Sequence, residues 1–284
     1  MNSSYVQPSI IKMVFIIMLG VLFCAEMNAA QNLEPKMAIS PSRIEMSPEK
    51  KATESITVLN LGSEPMQVEV YVQNWDFDAN NNYRALPPNE QSLDQWLIIN
   101  PVRLSIPAKS QQTVRLAVRP RVKPEDGEHR AMVFFRQLNQ QGKGFNFKFN
   151  VGVPIYANFG EVNREAELLG MEFDPIKLRF VFDVLSKGNA YVRPEGVFIA
   201  MKAAQAGTDE DLLERLDLNK MSVNNLGSLA GGKLAAKPVF AGNRRQITSP
   251  VPIKEILNES YVVAIKVKIG SQTFSEVYRI NIGE

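Results

Sequence analysis

Residues 144–156, GFNFKFNVGVPIY, constrain the fold more than any other stretch of the chain. Phe145, Phe147, Phe149, Val151, Val153 and Ile155 occupy every second position, the period at which side chains share one face of a β-strand. Asn146, Lys148, Asn150, Gly152 and Pro154 take the other face. At about 3.3 Å per residue the run would extend roughly 35 Å as a single strand, about twice the common length. Burying its apolar side is worth on the order of 10 kcal/mol, at about 1.5–3 kcal/mol per large side chain. The chain needs a β architecture that covers this face.

The preceding sequence supplies one. Residues 37–46 (MAISPSRIEM) read as a first strand in which Pro41 implies an edge or a switch between sheets. Residues 55–61 follow, then a turn at 62–65 and an alternating run over 66–75 with Val68, Val70 and Val72 on one face. The Asn-rich stretch 76–95 reads as loop. Residues 96–106 form the next strand, interrupted by Pro101; residues 111–118 alternate through Val114, Leu116 and Val118. Residues 129–138 carry Met132, Phe134 and Phe135, and the polar link 139–144 leads into the phenylalanine run. Seven strands in roughly 120 residues is the count of an immunoglobulin-like sandwich.

A charged link at 161–165 marks a domain boundary. Beyond it Leu178, Phe180, Phe182 and Val184 alternate, and residues 186–189 turn the chain. Strands are expected over 191–201, 244–252 and 261–269, with Gly270-Ser271 as a hairpin turn into 272–282. Residues 208–216 read as a brief helix capped by Thr208 with Glu210 or Asp211 in its first turn, and the Gly/Ala-rich 224–237 as loop. The expected fold class is all-β. Residues 31–160 form one immunoglobulin-like β-sandwich and residues 161–284 a second.

Residues 1–30 have the order of an export signal: Lys12, an uncharged apolar run over 13–25, then the small residues of EMNAA. The run is short for a membrane span of about 20 residues. The sole cysteine, Cys24, lies in this segment, so a processed chain would hold no disulfide and no cysteine metal site. The net charge of +2 argues against nucleic acid as a partner. Catalysis also lacks material. His129 is the only histidine, and the acidic stretches at 76–78 and 209–211 lack the glycine and distal glutamate of a calcium loop. No cofactor, metal site or small-molecule substrate is expected, and the chain does not read as an enzyme.

The arginines Arg43, Arg103, Arg115, Arg130 and Arg136 all fall on expected strands. Each can be a solvated side chain on an outward face, or a bidentate carboxylate anchor in a sheltered cleft. The phenylalanine run carries a similar choice. Val151, Val153 and Ile155 can line the domain's own core, whereas Phe145, Phe147 and Phe149 follow a polar link and overrun an ordinary strand. An uncovered apolar edge is an aggregation hazard, and another protein's sheet could cover it by β-augmentation.

Several of these segments resemble the PapD-like periplasmic chaperones of the chaperone–usher pilus pathway: ISPSRIEM, SLDQWLIINPVRLSIPAKSQQTVRLAVRP, DGEHRAMVFFRQ and GNAYVRPEG. The W-x-x-x-x-P-x-R and G-E-x-R patterns are similar to the archaic branch of that family. The resemblance implies an L-shaped pair of immunoglobulin-like domains without enzymatic activity. Such a chaperone is exported to the periplasm, lends an apolar strand to a pilin-like subunit by donor-strand complementation, and delivers the subunit to an outer-membrane usher. It places the donor strand at Phe145, Phe147, Phe149, Val151, Val153 and Ile155. Basic residues in the interdomain cleft would hold the subunit's terminal carboxylate: Arg130 by the archaic pattern, with Arg43 and Arg136 in support. The better-known branch has a late donor-strand lysine where this chain has Val153 or Pro154. The competing expectation is a secreted two-domain adhesion or scaffold protein, in which the edge at 144–155 would be closed.

Overall fold

The structure, a computed structural model, describes residues 37–78, 81–138, 149–254 and 259–281. The segment 1–30, Phe145 and Phe147 lie outside them. The chain opens with β1 (Met37–Ser40) and β2 (Ile44–Met46), then β3 (Thr53–Asn60) and β4 (Met66–Gln73). A small hairpin of β5 (Trp75–Phe77) and β6 (Tyr83–Ala85) precedes β7 (Leu97–Asn100), β8 (Arg103–Ile106) and β9 (Gln111–Val118). Two long strands, β10 (Gly127–Gln137) and β11 (Asn150–Phe159), end this unit.

These strands make two sheets, β1-β3-β9-β7 and β2-β11-β10-β4-β8. Both prolines flagged above sit where the chain changes sheet. The Ser40–Pro41 and Asn100–Pro101 bonds are cis, and each separates a strand of the first sheet from a strand of the second. A residue without an amide hydrogen suits such a break, because no ladder bond is lost there. The stretches 37–46 and 96–106 are therefore two strands each. Between the sheets lies one apolar core, including Ile56, Val58, Trp96, Leu116, Val133, Phe135, Val153 and Ile155.

The second sandwich comprises β12 (Ala166–Asp174), β13 (Arg179–Ser186), β14 (Glu195–Lys202), β15 (Leu216–Asp217), β16 (Ser222–Val223), β17 (Ala230–Lys233), β18 (Arg244–Pro250), β19 (Tyr261–Ile269) and β20 (Gln272–Ile280). Its sheets run β12-β13-β18 and β17-β14-β19-β20 around Phe180, Phe182, Phe198, Val263 and Ile265. The expected helix is present as α1 (Asp209–Glu214), closed by a capping box between Thr208 and Asp211. With the β15–β16 hairpin, α1 covers the outer face of the second sheet over Val197, Ile199, Met201 and Val262. This explains why β14 is buried on both faces rather than alternating.

Several strands depart from the sequence expectation. The β5–β6 hairpin lies mostly within what reads as loop, since each of its strands has only three residues. Strand β12 has a register shift between Leu168 and Gly170, which breaks the period that would reveal it. Strand β17 (AGGK) is built almost without side chains and forms through ladder bonds to β14.

Candidate functional site at the domain joint

Two features on β10 and β11 build the candidate site. The first is an open edge. Strand β11 pairs with β10 along Asn150–Phe159, but on its other side β2 reaches only Ile155, Tyr156 and Ala157. Among the described residues no strand lies beside the 150–154 edge, so a row of backbone groups faces outward. Behind this edge Val153 and Ile155 are fully buried in the first core, and Phe149 and Val151 pack against it partly exposed. The edge is thus anchored from behind and free in front.

The second feature is the outer face of the same strands, where the two domains meet. Residues 128, 130, 132, 134 and 136 of β10 point away from the core, opposite to Ala131, Val133 and Phe135. Met132 joins Trp75, Tyr156, Tyr191 and Phe240 in a small cluster that bridges the sandwiches, with Phe77 and Phe134 at its margin. Phe240 lies edge-on to Trp75 at 5.1 Å and stacks on Phe77 at 5.4 Å. Tyr191 packs against Tyr156 at 4.7 Å. Burial drives the hydroxyl pKa of Tyr156 upward, assisted by the nearby Glu128.

Polar groups frame the cluster. Arg130 places its guanidinium carbon 3.9 Å from the ring centre of Phe240, and its Nε donates to the Trp75 carbonyl at 3.2 Å. Burial lowers its pKa, opposed by the charges of Glu128 and Asp76. The backbone N–H of Tyr191 donates to Glu128 at 3.1 Å, and the Tyr191 hydroxyl donates to Glu45. Burial first, and then that bond to Glu45, push the Tyr191 pKa up to about 12. Glu45 also meets Arg43 at 3.2 Å and Arg164 at 3.6 Å. Beside them Glu45, Arg164, Tyr191, Arg193, Glu195 and Lys268 line a cleft of about 230 Å³.

On the far side of the joint the β5–β6 hairpin grips the second domain. Arg245 lies 4.3 Å over the Phe77 ring, Lys237 donates to the Asn81 carbonyl at 2.8 Å, and Asn81 donates to the Gln246 carbonyl at 2.9 Å.

The predicted anchor arginines are therefore not equivalent. Arg43 and Arg130 both lie on the joint. Arg136 shares a face with Arg130 but sits six residues along β10, roughly 20 Å away, where Nε and Nη2 both bond to Glu69. The sole histidine braces structure. Nδ1 and Nε2 of His129 lie 2.7 and 2.9 Å from the carbonyls of Gln91 and Glu125, and its ring packs on Trp96. Periodicity could not single out Tyr191, Phe240, Glu45 or Arg164, because each matters only through a partner in the other domain.

An open-edged sandwich clamped to a second one defines a two-domain β-protein. Residues 36–153 match the family described as pili and flagellar-assembly chaperone, PapD N-terminal domain. The match covers the first sandwich, 118 of the 284 residues. No curated protein matches the chain. Among solved structures it is similar to a chain of the CsuC–CsuE chaperone–tip adhesion subunit pre-assembly complex from archaic Csu pili of Acinetobacter baumannii. The identity is 13%, with 87% of this chain and 99% of that one covered and a TM-score of 0.44. The CupB2 chaperone of Pseudomonas aeruginosa gives 12%, 87%, 100% and 0.39 for the same four quantities. A chain of the Salmonella enterica SafA pilin–SafB chaperone complex gives 11%, 85%, 96% and 0.43.

Proposed function

We propose that the protein is a periplasmic pilus-assembly chaperone that binds fimbrial subunits by donor-strand complementation, prevents their aggregation and passes them to an outer-membrane usher. The observation that carries this reading is the open 150–154 edge of β11 in a domain that matches a pilus-chaperone family. An added strand would gain main-chain hydrogen bonds along that edge, while alternate side chains of the donor fill the recipient's core. Val153 and Ile155 are committed to the home core and Phe149 packs against it partly exposed, so Phe145 and Phe147 lead the side chains to be lent, with Phe149 at the border. The same open edge counts against an adhesion or scaffold role, which calls for a closed one.

The subunit's terminal carboxylate would be held by Arg130 and Arg43, the two predicted anchors on the joint. Arg136 is engaged by Glu69 and would support the donor strand rather than the anchor. The test is co-expression with a pilin-like subunit, followed by affinity capture from periplasm and mass spectrometry of the retained protein. Capture of a folded subunit in a one-to-one complex is expected, and Phe147→Asp should abolish it. Undiminished subunit recovery with Phe147→Asp would sink the donor-strand reading.

A further inference from the structure

Asp76 stands between two arginines at long range, while its Oδ1 accepts the Phe77 N–H at 2.7 Å. Its Oδ1 lies 3.8 Å from Nη2 of Arg130, and its Oδ2 lies 3.5 Å from Nη2 of Arg84. Charge-assisted hydrogen bonds settle at about 2.7–2.9 Å, so both links are stretched. The setting is partly dry on one side only: side-chain exposure is 16% for Asp76 and 20% for Arg130, against 56% for Arg84. Asp76 and Arg84 are direct cross-strand partners in the β5–β6 hairpin, so Oδ2 can close onto Arg84 while Oδ1 keeps the Phe77 N–H. Arg130 is held independently of Asp76. Its Nε bonds to the Trp75 carbonyl and Phe240 covers one face, which leaves the Nη nitrogens as the place for exchange.

We infer that Asp76 is an internal carboxylate that sets the affinity of Arg130 for an external one. In the free protein Asp76 partly neutralises Arg130. When an incoming carboxylate takes the Nη nitrogens of Arg130, Asp76 closes onto Arg84. Charge favours this exchange. Glu128 acts on Arg130 and Arg245 on Asp76 throughout; what changes is that Arg130 and Arg84 share Asp76 before the exchange and each has its own carboxylate after it. Asp76 is thus a specificity-determining residue, since a neutral polar group cannot compensate Arg130 for the departing aspartate. The inference rests on the reading that Arg130 anchors a partner's carboxylate.

The experiment uses the intact two-domain protein co-expressed with its pilin-like subunit, comparing Asp76→Asn, Arg84→Gln and Arg130→Ala for subunit retained. Asp76→Asn should raise retention roughly two- to fivefold, the range of a partly exposed ion pair. Arg84→Gln should lower it, because it removes the arginine onto which Asp76 would close. A purely structural role for Asp76 would make both variants lose retention, so opposite signs distinguish the two. Retention at or below wild type in Asp76→Asn, with loss in Arg130→Ala, overturns the inference and leaves the anchor intact. Unchanged retention in Arg130→Ala overturns the anchor itself. A second readout needs no subunit: modification of Arg130 by phenylglyoxal, followed by peptide mapping, should be faster in Asp76→Asn and slower in Arg84→Gln. Equal rates in all three proteins would also overturn the inference.

Discussion

Glu128 sits where β10 enters the domain joint, and its two carboxylate oxygens fare differently. One accepts the Tyr191 N–H, while Oε1 is buried without a hydrogen-bond partner. Burial therefore raises its pKa, only partly opposed by the bond from Tyr191 and the charges of Arg130 and Arg164. A carboxyl with a folded pKa above its unfolded value keeps its proton more readily in the native state. Its contribution to stability is full below the ordinary carboxylate range and is lost as pH rises through the folded value. Glu128→Gln retains an oxygen for the Tyr191 N–H and removes the titration. Urea midpoints measured from acid to neutral pH should shift in favour of the variant as pH rises. Parallel curves for the two proteins would show that Glu128 does not titrate differently on folding. The motif around this residue, GEHR, drew attention to Arg130 in the sequence. Phe240 gave no such signal, and Tyr191 lay within GNAYVRPEG without being singled out, because isolated aromatics on another domain have no period to reveal them.

Among elements, β10 is the one both domains depend on, and its first residue makes the dependence testable. Gly127 has φ of 116°, and a Cβ there would come 2.6 Å from the Asn189 carbonyl oxygen. That oxygen accepts the Glu128 N–H, while the Asn189 side chain accepts from Asn163 and donates to Glu161. Gly127→Ala therefore displaces the residue that ties the link between domains. It should cost at least about 1–3 kcal/mol, the range for a strained backbone conformation. Gly232→Ala, with nothing within 4 Å of the added carbon, is the control and should leave the denaturation midpoint within about 0.5 kcal/mol of wild type. Equal midpoints for both variants would contradict the close approach. Strand β9, with its alternation, and the apolar β19 were legible to the residue. Those shaped by tertiary context were not: β12 through its bulge, β17 through its lack of side chains, and β5–β6 because the hairpin is stabilised by the second domain. The open edge of β11 was legible only as a question, since alternation shows that a face must be covered and not what covers it.

For the whole molecule, the joint decides whether two sandwiches behave as one body. Each has its own core, so the coupling between them resides in the Trp75–Tyr156–Tyr191–Phe240 cluster and the hydrogen bonds around it. Phe240 is fully buried there and simultaneously covers Arg130, Trp75 and Phe77. Truncating such a side chain costs about 3–5 kcal/mol, most of which here is loss of contact across the domain boundary. Both tryptophans, Trp75 and Trp96, lie in the first domain, so fluorescence follows that domain and the joint whereas far-UV circular dichroism follows both sandwiches. In wild type the two probes should give one coincident denaturant transition, the mark of cooperative unfolding. In Phe240→Ala they should separate, and Phe240→Leu, which restores part of the apolar cover, should bring them back together. Coincident transitions in Phe240→Ala would mean that the cluster does not couple the domains, and that the angle presented to a partner is held by the β5–β6 hairpin and its grip on Arg245 and Lys237 instead.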